Sequence, residues 1–253
     1  AAGFLLLVVV PCATYYGLWF DEIFRVVMSR NIDSIVQMVR TQENNMLLHY
    51  LFLWLWQPFG DGSEVFLRAS SVLLVLLSLW PLHAAARRLA GDTAANICCL
   101  FYASHFLVIQ SAMACRGYSL ALLVNALVFW RWAVAWQTAG KRDWILAGAV
   151  AGTGVWAHYF SALVPPVLLF AMLWRDGLKQ PWRQLAFTAV AFVVTALPIV
   201  LTRPPDGAAQ IGWTDVPTLR SVGGTLMMLA GMDGMHERWI FLALLVAMFM
   251  ALF

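Results

Sequence analysis

Hydrophobic positions in this chain come in long blocks separated by short polar connections, a pattern that predicts helices crossing a bilayer. The first block covers about Ala1 to Phe20 and stops at Asp21-Glu22. From there to Arg68 the chain is mixed. Ile32, Ile35, Val36 and Val39 recur at helical spacing among Arg30, Asp33, Gln37 and Arg40, which predicts a helix lying on the membrane surface. The run Met46 to Phe59 ends at Pro58 and Gly60; at about 14 residues it is short for a span and suits an interfacial or re-entrant helix. Spans follow at about Ala69 to Ala86, Thr93 to Ala114 and Tyr118 to Trp136. The 31 residues from Trp144 to Trp174 carry no formal charge and are interrupted by His158-Tyr159 and Pro165-Pro166, which predicts two short packed helices. A further span covers about Gln184 to Leu201, a polar loop 202 to 220, and a last span begins near Trp239.

Composition agrees with this reading. Hydrophobic side chains make up 62% of the 253 residues and charged ones 11%, against about 25% charged in soluble domains. The whole of 1–253 reads as one transmembrane module of about seven to eight spans, with 21–68 as its first outer loop. Starting at Ala1 without methionine and ending inside an apolar run, it reads as part of a longer chain. The net charge of +3 is scattered between apolar runs, which excludes nucleic-acid binding as the organising theme. Cys12, Cys98, Cys99 and Cys115 have no zinc-site spacing and read as membrane-packing residues.

Orientation follows from the basic residues. With Asp21 outside and Met46 to Phe59 held at the outer surface, the connections carrying Arg87-Arg88, then Arg131, Lys141 and Arg142, then Arg175, Lys179 and Arg183 all fall inside, as the positive-inside rule requires. The same choice gathers 21–68, the Arg116 turn, the His158-Tyr159 turn and the 202–220 loop on one outer face.

That face holds the residues able to do chemistry. Asp21, with Glu22 beside it, can accept a proton from a substrate hydroxyl; the alternative is a solvated acidic flank below an aromatic belt. Arg116, between two spans, suits a phosphate through paired N–H donors; the alternative is a helix-end anchor. Arg68, Arg203 and Arg220 are further outer-face cations that suit an anionic head group. His158 and Tyr159 face a substrate or simply join two helices, and His49 lines the same cavity or belongs to an interface belt. His83, His105 and His236 form no group and are read as structural or left without a role.

The order Leu18-Trp19-Phe20-Asp21-Glu22, Glu43-Asn44-Asn45-Met46-Leu47-Leu48-His49-Tyr50-Leu51, Gly60 with Ser63-Glu64 and Arg68-Ala69-Ser70-Ser71-Val72-Leu73, then Arg116-Gly117-Tyr118-Ser119-Leu120 resembles the GT-C membrane glycosyltransferases. The similarity is closest to bacterial family 39 proteins, relatives of the protein O-mannosyltransferases and the aminoarabinose transferase of lipid A, and covers about residues 15 to 160. It implies an all-α integral membrane bundle with juxtamembrane helices in the first outer loop, embedded in the bacterial inner membrane with its site facing the periplasm. It implies a polyprenyl-phosphate-linked sugar as donor and an acceptor that is a protein, lipid or glycan. Transfer would be an inverting displacement with Asp21, flanked by Glu22, as base, and Arg116, Arg203 and Arg220 on the donor phosphate. Asn45, His49, Arg68, Tyr118, His158 and Tyr159 are the expected substrate-binding residues. Neither cofactor nor metal is required by that chemistry, and no metal-ligand cluster is visible. The family's Pro-Pro-Leu approach to its juxtamembrane helix is replaced here by Asn44-Asn45-Met46-Leu47, which predicts a different shape at that point. A polytopic transporter or a non-catalytic membrane scaffold would also have such spans, but no internal repeat marks a transporter and the charges lie at span ends.

Overall fold

The computed structural model describes residues 1–13, 17–177 and 181–202, with isolated positions at 204, 218, 221 and 223–225. Among the described residues there are helices and no strand. The last predicted span, His236, Arg203 and Arg220 lie outside them.

The first apolar block forms the helix α1 (Ala2–Ala13), and residues 17–19 are outside any helix. The mixed stretch that follows folds into three short helices, α2 (Phe20–Met28), α3 (Ile32–Thr41) and α4 (Leu47–Trp56). Asn31 caps α3 by accepting from Ser34 N–H at 2.8 Å, and Ile35 and Met38 of α3 bury themselves against Tyr50 of α4. At ten residues α4 is too short to cross a bilayer, as its sequence predicted. Its approach differs from a proline-rich one: Met46 sits in the left-handed region (φ 64°) and turns the chain into the helix.

Next comes α5 (Glu64–Ser104), begun by Ser63 Oγ accepting from Phe66 N–H at 3.3 Å. This helix is a hairpin. Gly91, at φ 84° and ψ 175°, reverses the chain, a conformation glycine alone adopts cheaply. Ser78 then meets Tyr102 (Oγ to Oη 2.8 Å) and the Cys99 thiol lies 3.7 Å from Leu79 O, so the two arms lie side by side. The predicted spans 69–86 and 93–114 correspond to these arms, but the second is not continuous. At His105 the backbone is extended, and Nδ1 accepts from Leu107 N–H to start α6 (Phe106–Met113).

Completing the bundle are α7 (Tyr118–Thr138), α8 (Lys141–Ala157), α9 (Val164–Asp176) and α10 (Trp182–Leu201). The division of 144–174 falls where expected: His158 ends α8 and a 3-10 turn, Tyr159–Leu163, leads to α9. Three described helices, α5, α7 and α10, are long and apolar enough to cross a membrane. Leu77, Trp80, Phe101, Val190 and Val194 stay exposed on the outside of the bundle, where lipid covers them.

Packing is tightest between α8 and α10, where small residues let backbones approach. A Cβ on Gly148 would come within 2.2 Å of Thr188 O, and one on Gly152 within 2.6 Å of Phe192 O. Gly148→Ala must therefore push the two helices apart, with an expected loss of about 1–3 kcal/mol. A lowered thermal midpoint in detergent checks this; an unchanged midpoint would mean that α8 and α10 are not in contact there.

Candidate active site

A buried carboxylate builds the site. Trp19 starts α2 in an extended conformation, and Glu22, three residues on, reaches back to accept from Trp19 N–H at 2.8 Å. The other oxygen of Glu22 accepts from Cys115 N–H at 2.6 Å, across 93 residues of sequence. Arg68 of α5 stands 3.7 Å from Glu22 and donates to Gly17 O at 3.0 Å. Both side chains are almost fully buried (relative exposure 2% for Glu22, 3% for Arg68). This one group thus fastens the start of the outer loop to the α5 hairpin and to the turn between α6 and α7. Around it the Cys115 thiol is pushed up to about 12, chiefly by burial and then by the Glu22 charge.

Seating Glu22 inward turns its neighbour outward. Asp21 Oδ2 accepts from Arg116 Nη2 at 2.8 Å, with the aspartate side chain 55% and the arginine 31% exposed. The Arg116 guanidinium also lies over the Tyr118 ring, 5.0 Å from its centroid. Two cavities flank Arg116. The smaller, about 330 Å³, is bounded by Trp19, Glu22, Arg68 and Met113. The larger, about 600 Å³, runs between α6, α7 and the turn after α8, past Tyr118, His158, Asn125 and Ser161. Gln110, Ala114 and Arg116 belong to both walls, so the guanidinium stands between them.

An exposed carboxylate is thus paired with an arginine that lines two cavities at one end of a helical bundle. Residues 44–200, well over half of the chain, match the family model of dolichyl-phosphate-mannose-protein mannosyltransferases. The chain belongs to this family. It is an integral membrane glycosyltransferase that draws its sugar from a polyprenyl phosphate. No curated protein and no solved structure matches it significantly. The match starts after Asp21 and Glu22, so the placement of those two rests on the contacts just described.

Among the other expected residues of this mannosyltransferase-family chain, Tyr118 and His158 line the larger cavity and pack ring to ring at 5.5 Å. His158 Nδ1 accepts from Phe160 N–H at 3.2 Å, which leaves the proton of the neutral ring on Nε2. Burial, followed by the Arg25 and Arg116 charges, lowers its pKa to about 4, so it is a neutral donor at physiological pH. Asn45 and Tyr159 meet each other instead, Tyr159 N–H donating to Asn45 Oδ1 at 3.1 Å. The Tyr159 hydroxyl donates to Asn44 Oδ1, and Asn44 Nδ2 donates to Ile199 O at 2.6 Å. This asparagine pair ties the outer loop to the ends of α8 and α10. His49 is fully buried beside Phe52, away from both cavities, and its pKa is lowered to about 3 by burial and by Arg25. No group of three or more His, Cys, Asp or Glu side chains able to hold a metal occurs among the described residues.

Sequence reasoning missed the cluster under α2. Arg25 is buried, 3.5 Å from Glu43, with Nη1 donating to Met46 Sδ at 3.2 Å, while Tyr50 donates to Glu43 at 2.5 Å. Its signal was available: Arg25 follows Glu22 by three positions on a helix, which puts both on one face. The same cluster accounts for Gly117, where a Cβ would come within 2.7 Å of Met46 Sδ.

Two outcomes follow. Glu22→Gln removes the charge that compensates buried Arg68 and is expected to cost about 3–5 kcal/mol, whereas Asp21→Asn, at the exposed pair, leaves the thermal midpoint nearly unchanged. Equal midpoints for the two variants would contradict the buried tie. For pH, an unfolded chain binds protons at His49 and His158 below about 6.5 that the folded protein refuses. Their contribution is therefore intact above that pH and is lost as pH falls towards 4. Thermal midpoints recorded across this window should fall in the wild type and fall less in His49→Leu.

Proposed function

We propose that this transferase works at the outer face of a bacterial cytoplasmic membrane, passing the sugar to an acceptor hydroxyl by one inverting displacement. The observation that carries the reading is the exposed Asp21 carboxylate paired at 2.8 Å with Arg116, whose side chain lines both cavities. Arg116 exchanges Asp21 for the donor phosphate when the lipid-linked sugar enters, and Asp21 is released towards the acceptor. The acceptor O–H proton passes to the Asp21 carboxylate as its oxygen bonds to the anomeric carbon. The bond from that carbon to the phosphate oxygen breaks in the same step, and the charge left on the polyprenyl phosphate is held by the Arg116 guanidinium. Charge neutralisation by arginine makes a metal unnecessary in this scheme. Arg203 and Arg220 remain proposed phosphate ligands from sequence. The outward sidedness is supported by the clustering of basic residues elsewhere: Arg88 and Arg175 line one cavity with Trp136 and Gln137, and Lys141 and Arg142 begin α8 shortly after them.

Purified protein in nanodiscs, given radiolabelled polyprenyl-phosphate sugars and a membrane extract as acceptor, tests this by release of label from the lipid. Asp21→Asn is expected to lower transfer by about 10²–10⁴-fold while the protein stays folded. Arg116→Gln should lower it by a similar factor, and Arg116→Lys by less, because a point charge replaces two directed donors. Transfer that is unchanged in Asp21→Asn would remove that carboxylate from the reaction.

A further inference from the structure

A cavity that the displacement does not use lies at the far end of the first α5 arm. Arg88 follows Arg68 by twenty residues, about 30 Å along a helix, which is the thickness of a bilayer's hydrocarbon core. There Arg88, Leu89, Trp136, Gln137 and Arg175 line a space of about 270 Å³ where the first arm of α5, α7 and α9 end. Gln137 Nε2 donates to Arg88 O at 2.5 Å and accepts from Arg88 Nη1 at 3.4 Å, which joins α5 to α7. The Trp136 indole N–H donates to Asp176 Oδ2 at 2.9 Å, and the Arg175 guanidinium lies over the Trp136 ring, 4.9 Å from its centroid.

Charge at this end is unbalanced. Lys141 and Arg183 both stand over the Phe187 ring, so the starts of α8 and α10 belong to the same end. The ion pairs here are Arg87–Asp92, Arg131–Asp143 and Arg175–Asp176. Among the described residues they leave Arg88, Lys141, Arg142 and Arg183 with no carboxylate partner. Asp176 offsets one of the two arginines that line the cavity, and the space keeps a net positive charge. Apolar surface adjoins it: Trp174, next to Arg175 in the chain, and Phe170, one turn earlier, are both largely exposed on α9. Guanidinium groups at the edge of the hydrocarbon core, beside exposed rings, suit a ligand with a phosphate at one end and acyl chains at the other.

We propose that this cavity binds an anionic phospholipid, with its phosphodiester on Arg88 and Arg175 and its chains along α9. On the sidedness proposed above, the lipid comes from the cytoplasmic leaflet; the site itself does not depend on the transferase reading. Protein in neutral detergent is titrated with dioleoylphosphatidylglycerol or dioleoylphosphatidylcholine, and bound lipids are counted by native mass spectrometry. The wild type should hold its first phosphatidylglycerol about 10-fold more tightly than phosphatidylcholine. Arg88→Gln and Arg175→Gln should each reduce that preference, and the double variant should bind both lipids alike. Arg87→Gln, which removes a neighbouring charge outside the cavity, should keep the wild-type preference. Thermal midpoints in phosphatidylcholine nanodiscs should stay close to wild type, because the substituted arginines are exposed. A wild type without preference overturns the site. A preference that survives the double variant, or that Arg87→Gln lowers as much as Arg88→Gln does, overturns it in favour of diffuse surface charge. Glycerol 1-phosphate should displace no lipid; displacement at equal concentration would mean that the arginines take a free phosphate ester and would overturn the lipid assignment.

Discussion

Everything at this end of the bundle depends on where the Glu22 carboxylate goes. Buried carboxylates are expensive unless each oxygen is occupied, and here the occupants come from three distant stretches of chain: the Trp19 and Cys115 amides and the Arg68 guanidinium. Once Glu22 points inward, the helical geometry of α2 turns Asp21 out, and the turn that supplies Cys115 N–H brings Arg116 to meet it. The pair at the rim is therefore a consequence of the tie beneath it. Gly117 belongs to the same arrangement, since its missing side chain leaves the space that Met46 fills while accepting a hydrogen bond from Arg25.

Division of labour between adjacent carboxylates follows from burial. Glu22 has its hydrogen-bonding capacity spent on structure, whereas Asp21 stands in reach of solvent with one exchangeable partner. Arg68 and Arg116 divide in the same way. One neutralises a buried charge and hydrogen-bonds Gly17 O, while the other stands between two cavities where an incoming phosphate can take it over. A bundle with wide helical contacts and short tied helices at one end keeps this small group of charges in place.

Much of the fold was legible because bilayer spans leave long unbroken apolar runs, and the breaks at His158, Gly60 and the Arg116 turn are local polar signals. The hairpin at Gly91 was readable only as two neighbouring spans, because a positive φ leaves no hydropathy trace. His105 shows the opposite failure: one histidine inside an apolar stretch divides a predicted span by capping the helix that follows. Asp21 and Arg116 stood out as charges beside spans, but that they touch depends on a tertiary tie whose partner, a Cys115 amide, carries no sequence signature. The placement of His49, Asn45 and Tyr159 was beyond sequence for a related reason. Polar residues on one face of a membrane protein can either line a cavity or tie loops together, and only packing separates the two.

Chemically, the proposal stands on Asp21 acting as a base once Arg116 exchanges it for the donor phosphate. With Glu22 engaged by the Trp19 and Cys115 amides and by Arg68, the proposed scheme assigns proton removal to Asp21 and passes through no covalent sugar intermediate. A single displacement inverts the anomeric carbon; two displacements restore it. The most direct measurement is the anomeric configuration of the transferred sugar, read by nuclear magnetic resonance on the product of a donor of known configuration. The account predicts the opposite configuration in the product. A product that keeps the donor's configuration would contradict it and would make a carboxylate such as Asp21 the nucleophile of a double displacement instead of a base.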